Sequence, residues 1–175
     1  MAYRNLDLLD KKILNLVADN ARMPFLEVAR ICNVSGAAIH QRIAKMTKMG
    51  LIKGSKYVID PEKLGYETCA YVGLYLKDPA TFDDVVEKLR MIPEVTECHY
   101  TTGGYAMFIK LYARTNHDLL NILHDRLQPL GLSRSATIVS FNAVIDRQLP
   151  VPEHIIEDDE DYADFYDVAV PDPTD

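Results

Sequence analysis

Apolar residues recur at helical spacing in the first third of the chain and at strand spacing further on. Spacings of three and four residues place apolar side chains on one face of a helix. Two early segments show this pattern: Leu9, Ile13, Leu16 and Val17 in residues 7–19, and Phe25, Leu26, Val28, Ala29 and Ile31 in the next segment. Pro24 is predicted as the first residue of the second helix, where its missing amide costs little.

A third helix is predicted after a very short connection. Ile39, Ile43 and Met46 form its apolar stripe, Ser35 is suited to cap its first turn, and Gly50 is suited to end it. Only the three residues 32–34 separate it from the second helix. A connection of this length between two helices is typical of a helix-turn-helix.

The outward face of the third helix combines small residues with hydrogen-bond donors. Such a face can approach a DNA major groove closely and then contact bases and phosphates. Its candidate DNA-binding residues are Ser35, Gly36, Ala37, Ala38, His40, Gln41, Arg42, Lys45 and Lys48. We predict groove contacts for Gln41 and Arg42 and phosphate contacts for Lys45 and Lys48. The alternative is a three-helix packing module whose charges are only solvated surface.

A short β wing is predicted to follow. Residues 52–59 are predicted to form two short strands, with Gly54 allowing the turn between them. Lys53 and Lys56 would then reach neighbouring phosphates. Asp60 and Pro61 mark a boundary. The predicted domains are therefore residues 1–60, residues 61–149 and an acidic tail of residues 150–175.

The second domain alternates strands and helices in the order βαββαβ. Its predicted strands are residues 69–77, 95–101, 105–113 and 135–145, and its helix stripes are Phe82, Val85, Val86 and Leu89, then Leu119, Leu120, Leu123 and Leu127. The second of these helices begins with a Thr115 to Asp118 capping pattern and should stop before Pro129. The order predicts a ferredoxin-like sheet, which makes the whole chain an α+β protein with an N-terminal three-helix winged helix-turn-helix.

Helices cover only one face of such a sheet, yet these strands are apolar on both faces. A monomer would therefore expose a large apolar patch, which soluble proteins generally avoid. We expect the domain to self-associate. A dimer would place two helix-turn-helix units on half-sites about 34 Å apart, or a multiple of that distance.

Charge is distributed very unevenly along the chain. Residues 1–56 carry ten Lys and Arg against four acids, residues 57–149 carry nine against twelve, and the acidic tail carries ten acids with no Lys or Arg. The net charge of −7 therefore hides a first third of +6, which favours a polyanionic partner.

The acidic tail contains aromatic residues as well as acids. Residues 157–161 are all acidic and repel one another, which predicts no folded structure for the free tail. Tyr162, Phe165 and Tyr166 follow at helical spacing. This pattern raises the hypothesis that the tail docks on a neighbouring subunit or covers the basic helix-turn-helix.

Other sequence features argue against several functional classes. No apolar run is long enough to span a membrane, no secretory signal is recognisable, and we expect a cytoplasmic protein. The three cysteines Cys32, Cys69 and Cys98 are interpreted as reduced and buried. His117 and His124 lack further ligands for zinc, and no catalytic motif, metal site or cofactor site is recognised.

Several motifs resemble the Lrp/AsnC, or feast/famine, family of transcriptional regulators over about residues 5–149. The matching residues are Leu6-Asp7-x-x-Asp10-x-x-Ile13-Leu14, Asp19-x-x-Arg22, Leu26-x-x-x-Arg30, Val34-Ser35-x-x-x-Ile39-x-x-Arg42-Ile43-x-x-Met46-x-x-x-Gly50-x-Ile52, Val95-x-Glu97-Cys98-His99, Thr102-Gly103-Gly104-Tyr105 and Arg134-x-x-Thr137-Ile138-Val139. The resemblance implies double-stranded DNA as a partner and dimers formed by sheet-to-sheet contact, commonly assembled into octamer-like rings. It also implies a small effector, usually an amino acid, bound between subunits near the glycine turn.

The resemblance assigns an effector site with one departure. Its candidate residues are Thr102, Gly103, Gly104, Tyr105, Ala106 and Thr137. The family turn usually reads Gly-x-aromatic-Asp, whereas Ala106 stands at the acidic position here. A buried ammonium group needs an acidic or strongly accepting partner, so a changed ligand, a lost ligand or a simple hairpin turn are all open interpretations.

Two other functions are compatible with this sequence. An architectural nucleoid protein would bind DNA with little sequence preference. A sirohaem-decarboxylase-like enzyme is the other, since such enzymes resemble this chain in their two-domain organisation. His99 and Tyr100 lie on a predicted strand of this chain's second domain.

Overall fold

The computed structural model describes residues 6–152 and contains two compact units. One unit comprises the described residues up to Lys56 together with those from Arg147 onward, and the other comprises Tyr57–Asp146. The start of the acidic tail therefore belongs with the N-terminal unit. The remainder of the tail, with its predicted lack of fold and its aromatic residues, lies outside the described residues.

Three helices form the N-terminal unit: α1 (Leu8–Asp19), α2 (Phe25–Cys32) and α3 (Gly36–Lys48). A capping box begins α1, in which Asp7 accepts from the amide of Asp10 and Asp10 accepts in return from the amide of Asp7. Pro24 occupies the capping position of α2, one residue before the predicted place. Asn33, with a φ of 55°, makes the left-handed turn that ends α2 and leads into α3.

The apolar faces of the three helices meet in one core. Ile13, Val28, Ile39 and Met46 are fully buried, and Ile43 packs against them while remaining partly exposed. This arrangement confirms the predicted inward stripe of α3. Val151, near the end of the described chain, also packs against this core.

The two short strands predicted around Gly54 are not found in this structure. Residues 52–60 form no strand, and Lys53, Gly54 and Lys56 are all exposed. An isolated two-stranded hairpin is at best marginally stable in water, and the described residues of this unit offer no third strand for the segment to pair with.

The second unit confirms the βαββαβ order. Its elements are β1 (Thr68–Leu76), α4 (Phe82–Arg90), β2 (Val95–Tyr100), β3 (Met107–Ala113), α5 (Asn116–Asn121) and β4 (Leu132–Ser140). The strands form one antiparallel sheet in the order β2-β3-β1-β4. Sequence-distant strands β1 and β3 therefore lie at the centre, as in a ferredoxin-like fold.

Both helices pack on one face of this sheet. Val72, Leu74, Ile109 and Leu111 are fully buried there against residues that include Leu89 of α4. α5 continues as a wider π-helical turn over Ile122–Leu127. Leu119, Ile122 and Leu127 are buried, whereas Leu120 is 57% exposed, so the predicted apolar stripe of this helix is wrong at Leu120. The wider turn adds a residue between Ile122 and Leu127 and so keeps both on the buried side.

The last strand is shorter at its C-terminal end than predicted. β4 ends at Ser140, which pairs with Cys69 near the start of β1. Beyond that point β1 offers almost no further partner, and residues 141–150 are exposed. Phe141 and Ile145 are consequently 99% and 75% exposed, although an alternating strand pattern had placed them on one face.

The cysteines are free thiols but are not all buried. Cys32 and Cys69 are half-buried, whereas Cys98 is exposed on the edge strand β2. The expectation of three buried thiols is therefore wrong at Cys98. Partial burial nevertheless raises the pKa of the Cys98 thiol above its ordinary value.

Candidate functional site

The N-terminus of α3 is built for close approach to a partner. Ser35 caps it, because its Oγ accepts from the amide of Ala38 at 3.2 Å. Gly36 is half-buried beside Leu26, while Ala37 is exposed at the outer surface. The first turn therefore presents backbone and a methyl group, with no long side chain to hold a duplex away.

An exposed stripe continues from this turn along α3. Ala37, Gln41, Lys45 and Lys48 recur at spacings of three or four residues, and all four are exposed. His40 lies beside the stripe and makes an edge contact with the ring of Phe25, at 4.8 Å between centroids. Polar and cationic groups thus project from one side of a helix whose opposite side is buried.

Arg42 does not belong to this outward stripe. Its Nη1 atom lies 2.7 Å from Asp7 Oδ2 and 2.6 Å from Asp10 Oδ1, and only 28% of its side chain is exposed. The Asp10 side chain is fully buried, and its other oxygen lies 3.3 Å from Lys45 Nζ. Arg42 therefore joins α3 to the start of α1, which differs from the groove contact that the sequence predicted.

The contacts between α1 and α3 favour the charged forms of Asp7 and Arg42. The amide of Asp10 and then the Arg42 guanidinium lower the pKa of Asp7, and the hydrogen bonds that Arg42 donates to Asp7 and Asp10 raise the pKa of Arg42. The sequence signal that could have revealed the cluster is the pair of acids in the α1 capping box. One of them is buried and so requires a cationic partner.

A second connection uses Lys12 of α1. Its Nζ donates to the carbonyl of Ile31 at 3.0 Å, in the last turn of α2. A cation at this position is favoured by the negative end of the helix dipole. Sequence reasoning counted Lys12 only as part of the positive charge of the unit.

The glycine turn between β2 and β3 is ordered by local hydrogen bonds. Thr101 Oγ1 donates to the carbonyl of Tyr105 at 3.0 Å, and the amide of Ala106 donates to the carbonyl of Leu74 at 2.9 Å. Gly103 has a φ of 98°, a conformation that a side chain would strain. Thr102, Gly103 and Gly104 are exposed around it.

Aromatic rings and one guanidinium group surround this turn. The ring of Tyr105 covers Gly73 so closely that a Cβ atom there would lie 2.3 Å from it. Tyr75 meets Tyr105 edge-on at 5.0 Å, and Arg134 lies 4.0 Å above the Tyr75 ring. Gly73, Tyr75 and Arg134 were not among the predicted site residues, since their proximity depends on strand pairing.

Thr137 and the glycine turn are not brought together within one chain. Thr137 pairs with Val72, whose side chain lies in the core under the helices. Tyr105 instead covers Gly73, which lies on the opposite face because it follows Val72 in the strand. Ala106, the position at which an acid was expected, offers only its methyl group and the amide already bonded to Leu74.

The sheet face away from the helices, called here the open face, is aromatic rather than aliphatic. Tyr71 and Phe108 stack at 5.8 Å, and Lys110 Nζ lies 5.8 Å and 5.5 Å from the ring centroids of Tyr71 and Tyr112. Lys110 is also 3.4 Å from Glu97 Oε1. The prediction of two largely apolar faces therefore needs correction at this half-buried cation.

The surroundings of Lys110 and Glu97 keep both groups charged. Burial alone would lower the pKa of Lys110, but its interactions with Tyr112 and Glu97 outweigh burial and raise it. Burial alone would likewise raise the pKa of Glu97, but His99 and Lys110 outweigh it and lower it. The open face thus carries an ion pair that is partly shielded from water and lies among aromatic rings.

Among residues 6–152, no helix is long and apolar enough to cross a membrane. Within the same residues, no group of three or more His, Cys, Asp or Glu is positioned to hold a metal ion.

Two family profiles match the chain. A profile described as winged helix-turn-helix DNA-binding matches residues 6–53, and one described as Lrp/AsnC ligand binding domain matches residues 69–150. With the fold described above, these matches define a DNA-binding transcriptional regulator that carries an effector-binding domain.

Similar proteins narrow this class to a family. The regulatory protein AsnC of Haemophilus influenzae is 38% identical over 146 residues, covering 83% of this chain and 97% of that protein. AsnC of Escherichia coli strain K12 is 36% identical over 145 residues, covering 82% and 95%. The solved structure of E. coli AsnC superposes with a TM-score of 0.79 at 33% identity, covering 83% of this chain and 98% of that one. The chain belongs to the Lrp/AsnC family.

A more distant structure shares the fold. The transcriptional regulator NMB0573 of Neisseria meningitidis, solved in complex with L-Met, has a TM-score of 0.79 at 19% identity and covers 85% of this chain and 97% of that one. The two named AsnC relatives and this structure are all described as regulators.

Proposed function

We propose that the exposed stripe of α3 enters the DNA major groove and reads a specific operator. The stripe is the observation that carries this proposal, because Ala37 allows close approach and Gln41 offers an amide to base edges. Lys48 follows on the same side and would meet a phosphate, as would Lys45 beside its ion pair with Asp10. The proposed supporting contacts come from Ser35, Gly36, Ala38, His40 and Lys53.

Arg42 has a different role in this proposal. Its two ion pairs orient α3 against α1, and therefore it acts as a positioning residue. Moving its guanidinium to a base would leave the buried carboxylate of Asp10 with Lys45 as its remaining ion-pair partner. We propose that base reading comes from Gln41 instead.

A binding assay separates these roles. Lys48→Gln should weaken binding to all DNA sequences and reduce the slope of log affinity against log salt by about one. Gln41→Ala should cost about 1 to 3 kcal/mol on the operator and relax one base position. Lys63→Gln, an exposed cation in the second unit, is the control and should change neither quantity. An unchanged salt slope for Lys48→Gln would contradict the proposed phosphate contact.

The protein is further proposed to form dimers through the open face. Tyr71, Phe108 and Tyr112 remain partly exposed there, beside Ile138 at 57% exposure. Covering these rings with a second copy would remove apolar surface from water and pair two α3 helices for a palindromic operator. Larger octamer-like assemblies would build on such dimers.

Light scattering can test the dimer. Tyr71→Glu would introduce a charge among the stacked rings and should shift the mass towards the monomer, whereas Tyr100→Glu should not, because Tyr100 lies on the edge strand away from this face and is 80% exposed. A Tyr71→Glu protein with the wild-type mass would contradict the use of the open face.

The glycine turn is the proposed effector site, with a small carboxylate as ligand. Exposed Gly103 and Gly104, with the Arg134 guanidinium over Tyr75, suit a carboxylate group. An amino acid is the first candidate, since the distant Neisseria regulator was solved with L-Met. Ala106 supplies no acid for the ammonium group, so we propose a weaker preference for the amino group than an acidic residue would confer. Thr137 would contribute only from another copy of the chain.

Calorimetric titration with amino acids and their 2-oxo acid counterparts tests this ligand class. Comparable affinity for an amino acid and its 2-oxo acid would support a site that recognises mainly the carboxylate. Arg134→Gln should abolish binding of both. A wild-type affinity for that variant would contradict the assignment.

Two alternatives remain separable by experiment. An architectural DNA-binding protein would show equal affinity for the gene's own upstream region and for bulk competitor DNA, whereas a regulator should prefer the upstream region.

We propose that the protein has no enzymatic role, in line with the regulators that it resembles, and that it acts in the cytoplasm on DNA. Binding of a tetrapyrrole with visible absorbance would contradict the first of these statements.

A further inference from the structure

The chain returns to the DNA-binding unit after leaving the sheet. Residues 141–150 are exposed, but Val151 is half-buried against the core formed by α1, α2 and α3. The residues from Arg147 onward accordingly group with this unit rather than with the sheet. The ligand-domain profile ends at residue 150, so nearly all of the acidic tail extends beyond it.

The tail and the N-terminal unit carry opposite charges. All ten acids of the tail lie in residues 153–175, which contain no Lys or Arg. Residues 1–56 carry ten Lys and Arg against four acids, and two of those acids, Asp7 and Asp10, are paired with Arg42. Arg30, Lys48, Lys53 and Lys56 are exposed.

Screening limits this attraction to short range. At physiological ionic strength the Debye length is about 8 Å, so the tail must be held close to the cations in order to bind them. The packing of Val151 against the helical core would fix the start of the tail on this unit. The following residues, about 23 in number, could reach up to about 75 Å when extended, whereas a compact unit of this size is roughly 25 Å across.

The N-terminal unit also offers apolar contacts. Leu8 and Leu26 are 79% and 75% exposed, and Leu26 lies against Gly36 at the start of α3. Tyr162, Phe165 and Tyr166 recur at helical spacing directly after the acidic run. Aromatic side chains would cover such leucines, while the acids approach the cations of α3.

We propose that residues 153–175 bind the outward face of α3 and compete with DNA for it. In this proposal the acidic tail takes the place of the DNA phosphates on α3, and the Val151 contact keeps the tail at a high effective concentration. A tethered segment commonly reaches a millimolar effective concentration. For an intrinsic tail affinity of about 0.1 mM, DNA binding would be weakened about tenfold.

The first test compares the full chain with a chain that ends at Pro152, which retains Val151. We expect the shortened chain to bind operator DNA about tenfold more tightly, with the difference shrinking as salt is raised. Equal DNA affinity of the two proteins would overturn the proposal. A change of oligomer size without a change of DNA affinity would also overturn it and place the tail at a subunit interface.

A second variant distinguishes docking from general charge repulsion. Val151→Ser keeps every charge of the tail but weakens its attachment, so DNA affinity should rise part of the way towards that of the shortened chain. If only the shortened chain gains affinity, the tail repels DNA without docking, and the proposal fails. Pro152→Ser, at the neighbouring exposed position, is the matched control.

A third measurement does not depend on DNA. A labelled peptide of residues 153–175 should bind the shortened protein, with Lys48→Glu weakening that binding and Lys63→Glu leaving it unchanged. Absence of peptide binding at millimolar concentration would overturn the proposal even if DNA binding itself failed. The competition rests on the proposed DNA contact of α3, and this measurement keeps the two failures apart.

Discussion

Asp10→Asn tests whether a buried carboxylate holds α3 in place. The Asp10 side chain has no solvent exposure, lies 2.6 Å from Arg42 Nη1 and 3.3 Å from Lys45 Nζ, and accepts from the amide of Asp7. Asparagine preserves the shape of the side chain and removes its charge. The variant therefore perturbs the electrostatic contacts between α1 and α3 and leaves the packing nearly intact.

The size of the effect follows from the exposure of the partners. Removing one partner of a fully buried ion pair typically costs about 3 to 5 kcal/mol, because a charge is left uncompensated. Here Arg42 is 28% exposed and keeps Asp7 as a partner, and Lys45 is 48% exposed, so water and Asp7 recover part of that cost. We expect Asp10→Asn to lower the unfolding free energy of the N-terminal unit by about 2 kcal/mol.

Urea unfolding of the full chain, followed by far-ultraviolet circular dichroism, measures this change. A double-mutant cycle with Arg42→Gln isolates the pair, and the two losses should add up to clearly more than the loss in the double variant. Asp19→Asn, an exposed acid at the end of α1, is the control and should change stability by less than about 0.5 kcal/mol. An Asp10→Asn protein as stable as wild type, or strictly additive losses, would refute the reasoning.

Three further predictions address other parts of the molecule. Gly73→Ala should displace the Tyr105 ring, because the added Cβ would lie 2.3 Å from it, and Tyr105→Ala in the same chain should restore part of the lost stability in thermal unfolding. The pKa of Asp7 is lowered on folding, so its contribution is full above the ordinary value of 3.8 and is lost as pH falls through the folded pKa. The stability difference between wild type and Asp7→Asn should therefore stay constant from neutral pH to about 4 and shrink below it; a difference that grows in acid would contradict this sign. Ala106→Asp should increase calorimetric selectivity for an amino acid over its 2-oxo acid, and unchanged selectivity would exclude this position from ligand recognition.

Local periodicity was sufficient to predict most of the elements. The stripe of Ile39 and Met46 identified the buried side of α3, and the apolar runs of β1 and β3 identified two strands of the sheet. Such patterns report the environment of neighbouring residues in one element. They failed where another segment decides the outcome, as at Phe141, where β4 has run out of partner strand.

Site residues were harder to predict for a related reason. The outward position of Gln41 follows from the helix pattern alone, whereas Arg42 requires knowledge of a carboxylate 32 residues earlier in the chain. A charge on a helix surface can face solvent, a ligand or another helix, and spacing does not distinguish these possibilities. Here the buried acid in α1 decides, because leaving it unpaired would cost more than any contact that Arg42 could make in water.

The same reasoning connects the sites of this protein. Gly73 leaves room for Tyr105, whose ring meets Tyr75 beneath Arg134, so a glycine inside a strand helps to shape the proposed effector site. In the proposed docking, Val151 similarly holds the start of an acidic segment on the unit that contains a cationic helix far from it in sequence. In each case a residue without a polar side chain, Gly73 or Val151, determines where a charged group can act. Substitutions at Gly73 and Val151 are therefore expected to alter regulation more than substitutions of many exposed charges would.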